Sequence, residues 1–245
     1  VTLSVRPKKT AILVAQRIVA DINARGNKVG DRLPAEKDML AEYNVGRGTL
    51  RESLRFLELQ GVISLRPGPG GGPIVQQPDS AALSTTLMLL LQFEQAPYRS
   101  VTEARSALEP VMARLATERM TEEQLAEVGD SVANMERVRN DEAAFIAENK
   151  RFHKLIAYGS GNAIFGYLID SMIDILDGSP IGMEYPMARR SAVAKAHKLV
   201  YEALAGRDPE AAAQAMADHV GQYATYTEKK YSDALAAPIV WSVGG

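Results

Sequence analysis

Apolar residues recur at intervals of three and four along most of this chain, with one short exception near residues 62–75. Ile12, Ala15, Ile18, Val19 and Ile22 predict a first helix that Thr10 can cap and that Gly26 and Gly30 end. Pro34 stands where a first helical residue is expected, with Glu36 and Asp38 in the following turn. This short second helix ends near Tyr43-Asn44, Asn being suited to a left-handed residue at a helix end. A third helix runs from near Gly46 to about Gln60. It carries Leu50, Leu54 and Leu57 on one face and Arg47, Arg51 and Arg55 on another. Gly61 closes it. Val62–Arg66 and Ile74–Val75 then flank a Pro/Gly-rich stretch from Pro67 to Pro73, the pattern of a β-hairpin.

Beyond residue 79 the pattern is helical throughout. Leu83, Leu87, Leu90 and Leu91 mark one amphipathic segment, and Val101, Leu108, Met112 and Leu115 a second that contains Pro110. Thr121-Glu122-Glu123-Gln124 is a capping box. Further helices are expected from Asn140 to Gly159, from Asn162 to Asp177-Gly178, from Ala188 to Gly206, and onward from Asp208-Pro209, with a loop over residues 179–185. The expected fold is mainly α: a winged helix-turn-helix over residues 9–76 and an all-α helical bundle over 80–233. A flexible arm (1–8), a linker (77–79) and a C-terminal tail (234–245) complete the division. The tail holds the single tryptophan, Trp241.

Composition narrows the picture. The 245 residues include no cysteine, so disulfides and thiolate metal sites are excluded. The longest apolar run, residues 81–93, is interrupted by Ser84, Thr85 and Thr86 and is too short to span a membrane. No apolar segment follows the N-terminal basic residues as in a signal peptide, and the expected location is cytoplasmic. The net charge of −2 conceals a division: residues 1–79 carry 12 Lys+Arg and 8 Asp+Glu, a balance of +4, while residues 80–245 carry 16 and 22, a balance of −6. A basic head on an acidic body fits a polyanion-binding head.

An arginine-bearing helix N-terminus can hold phosphate through its amides and pair with guanine O6 and N7 through a guanidinium fork. Arg47 and Arg51 are spaced to point the same way, Thr49 can meet a phosphate or a thymine methyl, and Lys37 can reach the flanking backbone. Gly68 lets the wing approach a minor groove. Without further context such a row also fits a solvated helix face. Leu33-Pro34-Ala35-Glu36, Arg47-x-x-x-Arg51, Leu57-x-x-x-Gly61-Val62-Ile63 and the glycine-rich wing resemble the DNA-binding head of GntR-type regulators over residues 9–76. The resemblance implies operator contacts at Lys37, Arg47, Thr49, Arg51 and Gly68. The sequence departs from the family at Gly46, usually Ser or Thr, and at Gly48, usually bulkier; Gly48 costs roughly 1 kcal/mol of helix stability relative to Ala.

The three histidines, His153, His197 and His219, each lie on the apolar stripe of their own helix. An inward histidine is by itself a hydrogen-bonded core residue or a ligand. Three together suit Zn²⁺, Ni²⁺ or a similar divalent metal ion. Glu103-Ala104-Arg105-x-x-Leu108-Glu109-Pro110, Phe152-His153, Ser160-Gly161-Asn162, Ala196-His197, Gly206-Arg207-Asp208 and His219 resemble the effector domain of the FadR subgroup, called FCD. In its metal-binding members an Asp one turn before the first His completes the ligand set; here that position is Asn149, which brings an oxygen but no charge. A more positive metal favours an anionic effector, and Arg105 is a second candidate anchor for a carboxylate, or else half of a buried ion pair.

These readings predict a homodimeric repressor of double-stranded operator DNA, controlled by a small carboxylate at a metal-containing cavity. Two alternatives stand beside it: a metalloenzyme with an accessory DNA-binding head, and a metal-free regulator of a larger ligand such as an acyl thioester. No carboxylate is expected beside the histidines on their own helical faces.

Overall fold

The computed structural model describes residues 10–68, 71–177 and 184–241. The expected arm, the tip of the wing turn, most of the loop before residue 185 and the last four tail residues lie outside this range. The chain divides into two compact units, with the boundary between Ala82 and Leu83.

In the first unit α1 (Thr10–Ala24), α2 (Glu36–Tyr43) and α3 (Arg47–Leu59) precede β1 (Ile63–Arg66) and β2 (Gly72–Val75). The apolar stripes converge on one core: Ile18 of α1, Met39 and Tyr43 of α2, Leu50, Leu54 and Leu57 of α3, and Ile63 and Val75 of the wing. Asn44 adopts the left-handed conformation expected of it, with φ 51°. Pro34 does not begin α2: Ala35, extended at ψ 153°, is the residue before it. Ser53 is the one polar side chain buried in α3; its hydroxyl donates to Ala11 O at 2.7 Å and so ties α3 to α1. The two strands are antiparallel, Ile63 opposite Val75 and Arg66 opposite Gly72. The segment before α2 adds to them, Leu33 N donating to Pro73 O and Val75 N to Asp31 O. Gly71 is required where the wing turns, because a Cβ there would lie 2.2 Å from Arg66 O.

The second unit contains α4 (Ala81–Phe93, entering from the boundary), α5 (Arg99–Arg119), α6 (Glu122–Arg137), α7 (Glu142–Gly159), α8 (Ala163–Asp177), α9 (Met187–Ala205) and α10 (Pro209–Ala236). The capping box at Thr121 and Gln124 is formed. Asp208 caps α10, and Asp141 rather than Asn140 caps α7, accepting from Ala144 N at 3.1 Å. α5 is the central element and packs against α7, α8, α9 and α10. It presents a buried stripe of Val101, Arg105, Glu109, Met112, Ala113 and Ala116, and it continues through Pro110. α10 runs to Ala236, past the expected start of the tail, with one non-helical residue at Tyr231. The chain then folds back. Ile239 is fully buried and donates its N–H to Ala96 O, and Tyr98 N donates to Ala237 O.

Candidate functional site

The first unit exposes the face proposed for DNA. Lys37, Arg47, Arg51 and Gly68 are exposed and Thr49 is half-buried. Gly46 precedes α3 with no side-chain cap, so the first amides of the helix stay open to an anion. Gly68 has φ +93°, a conformation that places the wing turn with no Cβ in the way. Arg51 is not free: its Nε donates to Glu36 Oε1 at 3.1 Å. Arg66, at the end of β1, lines the same cleft as Arg51 and Arg55 and was not singled out from sequence. Its place at the mouth of a Gly-rich turn is the signal that marks it.

In the second unit the structure brings His153 of α7, His197 of α9 and His219 of α10 into one buried cluster. The three Nε2 atoms converge. His197 Nε2 lies 3.0 Å from His219 Nε2, which lies 3.3 Å from His153 Nε2. A tetrahedral ion with metal–nitrogen bonds of 2.0–2.1 Å has ligand–ligand edges of about 3.3–3.4 Å, close to these two separations. Burial and the neighbouring imidazoles push the pKa of His197 and His219 well below the usual histidine range, which keeps them in the neutral form that ligates metal. Phe152 stacks on His197, with ring centroids 3.7 Å apart, and fixes its plane. His197 Nδ1 is buried without a partner.

A carboxylate does stand beside the histidines, from a helix that carries none of them. Glu109 of α5 holds His153 Nδ1 through one oxygen and accepts from Arg105 Nε at 2.6 Å through the other. Burial alone would raise the pKa of Glu109. The Arg105 guanidinium and His153 override it and hold the carboxyl well below its ordinary range. An ionised Glu109 accepts the Nδ1 proton of His153 and so orients its Nε2 toward the other two rings. Arg105 is thus half of a buried ion pair, with its guanidinium 5.6 Å from the centre of the Tyr223 ring. Asn149, within α7, is half-buried, and its side chain makes no hydrogen bond among the described residues, so its side-chain oxygen is uncommitted. The one local signal for Glu109 in the sequence is its i,i+4 spacing to Arg105, which ordinarily marks a solvated pair.

Two family models match in chain order: that of the gntR family of bacterial regulatory proteins over residues 11–71, and that of the FCD domain over residues 100–222. The HTH-type transcriptional regulator YcbG of Bacillus subtilis is 32% identical over 223 residues, which cover 89% of each chain. The chain belongs to the GntR family and carries an FCD domain. The HTH-type transcriptional repressor NanR of Cronobacter sakazakii is 26% identical, covering 92% of this chain and 89% of its own. A solved GntR structure from Streptococcus agalactiae superposes with a TM-score of 0.72 at 23% identity, over 88% of this chain and 99% of that one. This GntR protein is therefore a DNA-binding transcriptional regulator, and its relatives are named as regulators rather than as the enzyme of the metalloenzyme alternative. Among the described residues no helix is long and apolar enough to cross a membrane.

Proposed function

We propose that this chain is a homodimeric repressor that grips operator DNA with α3 and the wing. In this reading its FCD cavity holds a divalent metal ion and a small carboxylate. The convergence of three imidazole Nε2 atoms in one buried cluster carries the metal reading. Bound there, the ion supplies a positive centre with open coordination positions for an anionic oxygen. Asn149 adds no charge to the first ring of ligands, so a carboxylate effector is favoured over a neutral one. With its Nε committed to Glu109, Arg105 has only its Nη groups to offer that carboxylate. Repression is the sense in which the NanR relatives are named. Effector binding shifts the balance between head arrangements and so changes operator affinity.

The experiment uses a duplex selected from a randomised library with the full chain, titrated at fixed salt with and without chelator and a panel of small carboxylic acids. Lost or gained affinity with an acid, abolished by chelation, supports the reading; indifference to both overturns it. On the same duplex Arg47→Ala is expected to weaken binding roughly tenfold or more while leaving thermal unfolding unchanged. Unaltered affinity would remove Arg47 from the operator contacts.

The dimer reading is supported by α4, which carries no charged residue between Ala81 and Phe93. Apart from Thr86, its outward side chains are apolar: Phe93 is 86% exposed, Leu90 61% and Leu83 40%. The returning tail lies alongside, Trp241 N donating to the Gln92 side chain at 2.8 Å, with Trp241 itself 51% exposed. An uncharged apolar face can pair with its own copy without like-charge repulsion, and helix-turn-helix heads read paired half-sites. Phe93→Asp is expected to weaken the dimer at least roughly tenfold in sedimentation velocity, since a central aromatic anchor is lost and two carboxylates meet across the axis. An unchanged dimer would place the interface elsewhere.

A further inference from the structure

Within the arginine row of α3, Arg51 differs from its neighbours. Its Nε donates to Glu36 Oε1 at 3.1 Å, whereas Arg47 and Arg55 make no ion pair among the described residues. Glu36 is the first residue of α2, so the contact crosses from one helix of the helix-turn-helix to the other. A first-turn acid is favoured by the helix dipole alone. The dipole does not account for its hydrogen bond to the middle arginine of the next helix.

We propose that Glu36 is a positioning residue for sequence readout, holding Arg51 to a guanine and keeping it off the phosphate backbone. The inference rests on α3 being the recognition helix. Phosphate oxygens attract any free arginine in a groove and carry no sequence information. With Nε committed to a carboxylate, the guanidinium plane is set and the free edge is the Nη1/Nη2 fork, the pair of donors that matches guanine O6 and N7. The exposures agree: the Arg51 side chain is 68% exposed and that of Glu36 39%, so the arginine tip reaches further into solvent than the acid that holds it. A carboxylate at this depth repels phosphate, so Glu36 lowers affinity for every duplex and returns it as discrimination at one G·C pair. Its other oxygen can accept from a cytosine amino group in the same or the adjacent pair.

The test is selection from a randomised double-stranded DNA library by the full chain, by E36A, by R51A and by the double variant, at one salt concentration. Thermal unfolding is recorded for each. E36A is expected to reduce the preference at one G·C position per half-site roughly tenfold or more, the size of a lost bidentate base contact. Its affinity for a scrambled duplex is expected to stay level or rise. R51A loses the preference at the same position, and the double variant selects no worse than R51A. If E36A keeps the preference that R51A loses, Glu36 does not position Arg51. If E36A weakens selected and scrambled duplexes alike, Glu36 is a strut of the fold. If R51A keeps every preference, Arg51 is not a base reader, and the underlying assignment fails together with the proposal.

Discussion

Protein purified without added metal is expected to carry close to one equivalent of a divalent transition metal, and His153→Ala to carry almost none. The reason is geometric. His219 Nε2 already lies 3.0 Å from that of His197 and 3.3 Å from that of His153, close to tetrahedral edges, so binding needs little rearrangement of these rings and loses little entropy. A buried zinc site of four donors binds with roughly 10–16 kcal/mol, so removing one donor of such a set costs roughly 3 kcal/mol, about a hundredfold or more in affinity. Alanine also leaves Glu109 facing a void in place of its imidazole partner. Elemental analysis reads the stoichiometry. Chelation should lower the melting temperature of the native chain and leave that of His153→Ala unmoved, because only a metal-binding fold gains stability by linkage. Absence of divalent metal from both proteins, with no response to chelator, would leave the cavity as a hydrogen-bonded histidine cluster.

The three histidines of this cluster are legible because each is a local signal. His153, His197 and His219 interrupt apolar stripes of period 3.6, and a stripe is visible within one helix. The same holds for the capping box at Thr121, the left-handed Asn44 and the arginine row of α3. What escaped was pairing across the chain. Glu109 and His153 are 44 positions apart, and an i,i+4 Arg–Glu pair on a helix ordinarily reads as solvated. Only the packing of α5 between four other helices shows that this pair is buried. The end of α10 is less legible for a related reason: Ala234 to Ala237 carries no periodic signal of its own. The α10 helix continues to Ala236 because Leu235 and then Ile239 find buried places against the α4–α5 turn. The helix starts shifted by a residue or two, from Pro34 to Glu36 and from Asn140 to Asp141. Adjacent residues compete for the same cap, and tertiary contacts decide between them.

The Arg105–Glu109–His153 chain makes a second prediction of comparable size, in stability rather than metal content. Glu109→Leu removes the only anion paired with Arg105 among the described residues and leaves the buried Arg105, 8% exposed, without its counter-charge. Breaking a buried pair by deleting one partner costs about 3–5 kcal/mol, because the remaining charge keeps its desolvation penalty and loses its compensation. Replacing both partners by apolar residues of similar volume, Arg105→Met with Glu109→Leu, removes both penalties and is expected to restore most of that stability in chemical denaturation. The two variants should diverge from the wild type differently in metal binding. Both lose the acceptor on His153 Nδ1, so both should bind the ion about 10–100-fold more weakly, while only the single variant is unstable. Recovery of stability without recovery of metal affinity separates the two tasks of Glu109, neutralising Arg105 and orienting His153. Equal recovery of both would mean that the carboxylate matters only as a counter-ion, and that His153 keeps its orientation from packing against Phe152 and the other rings.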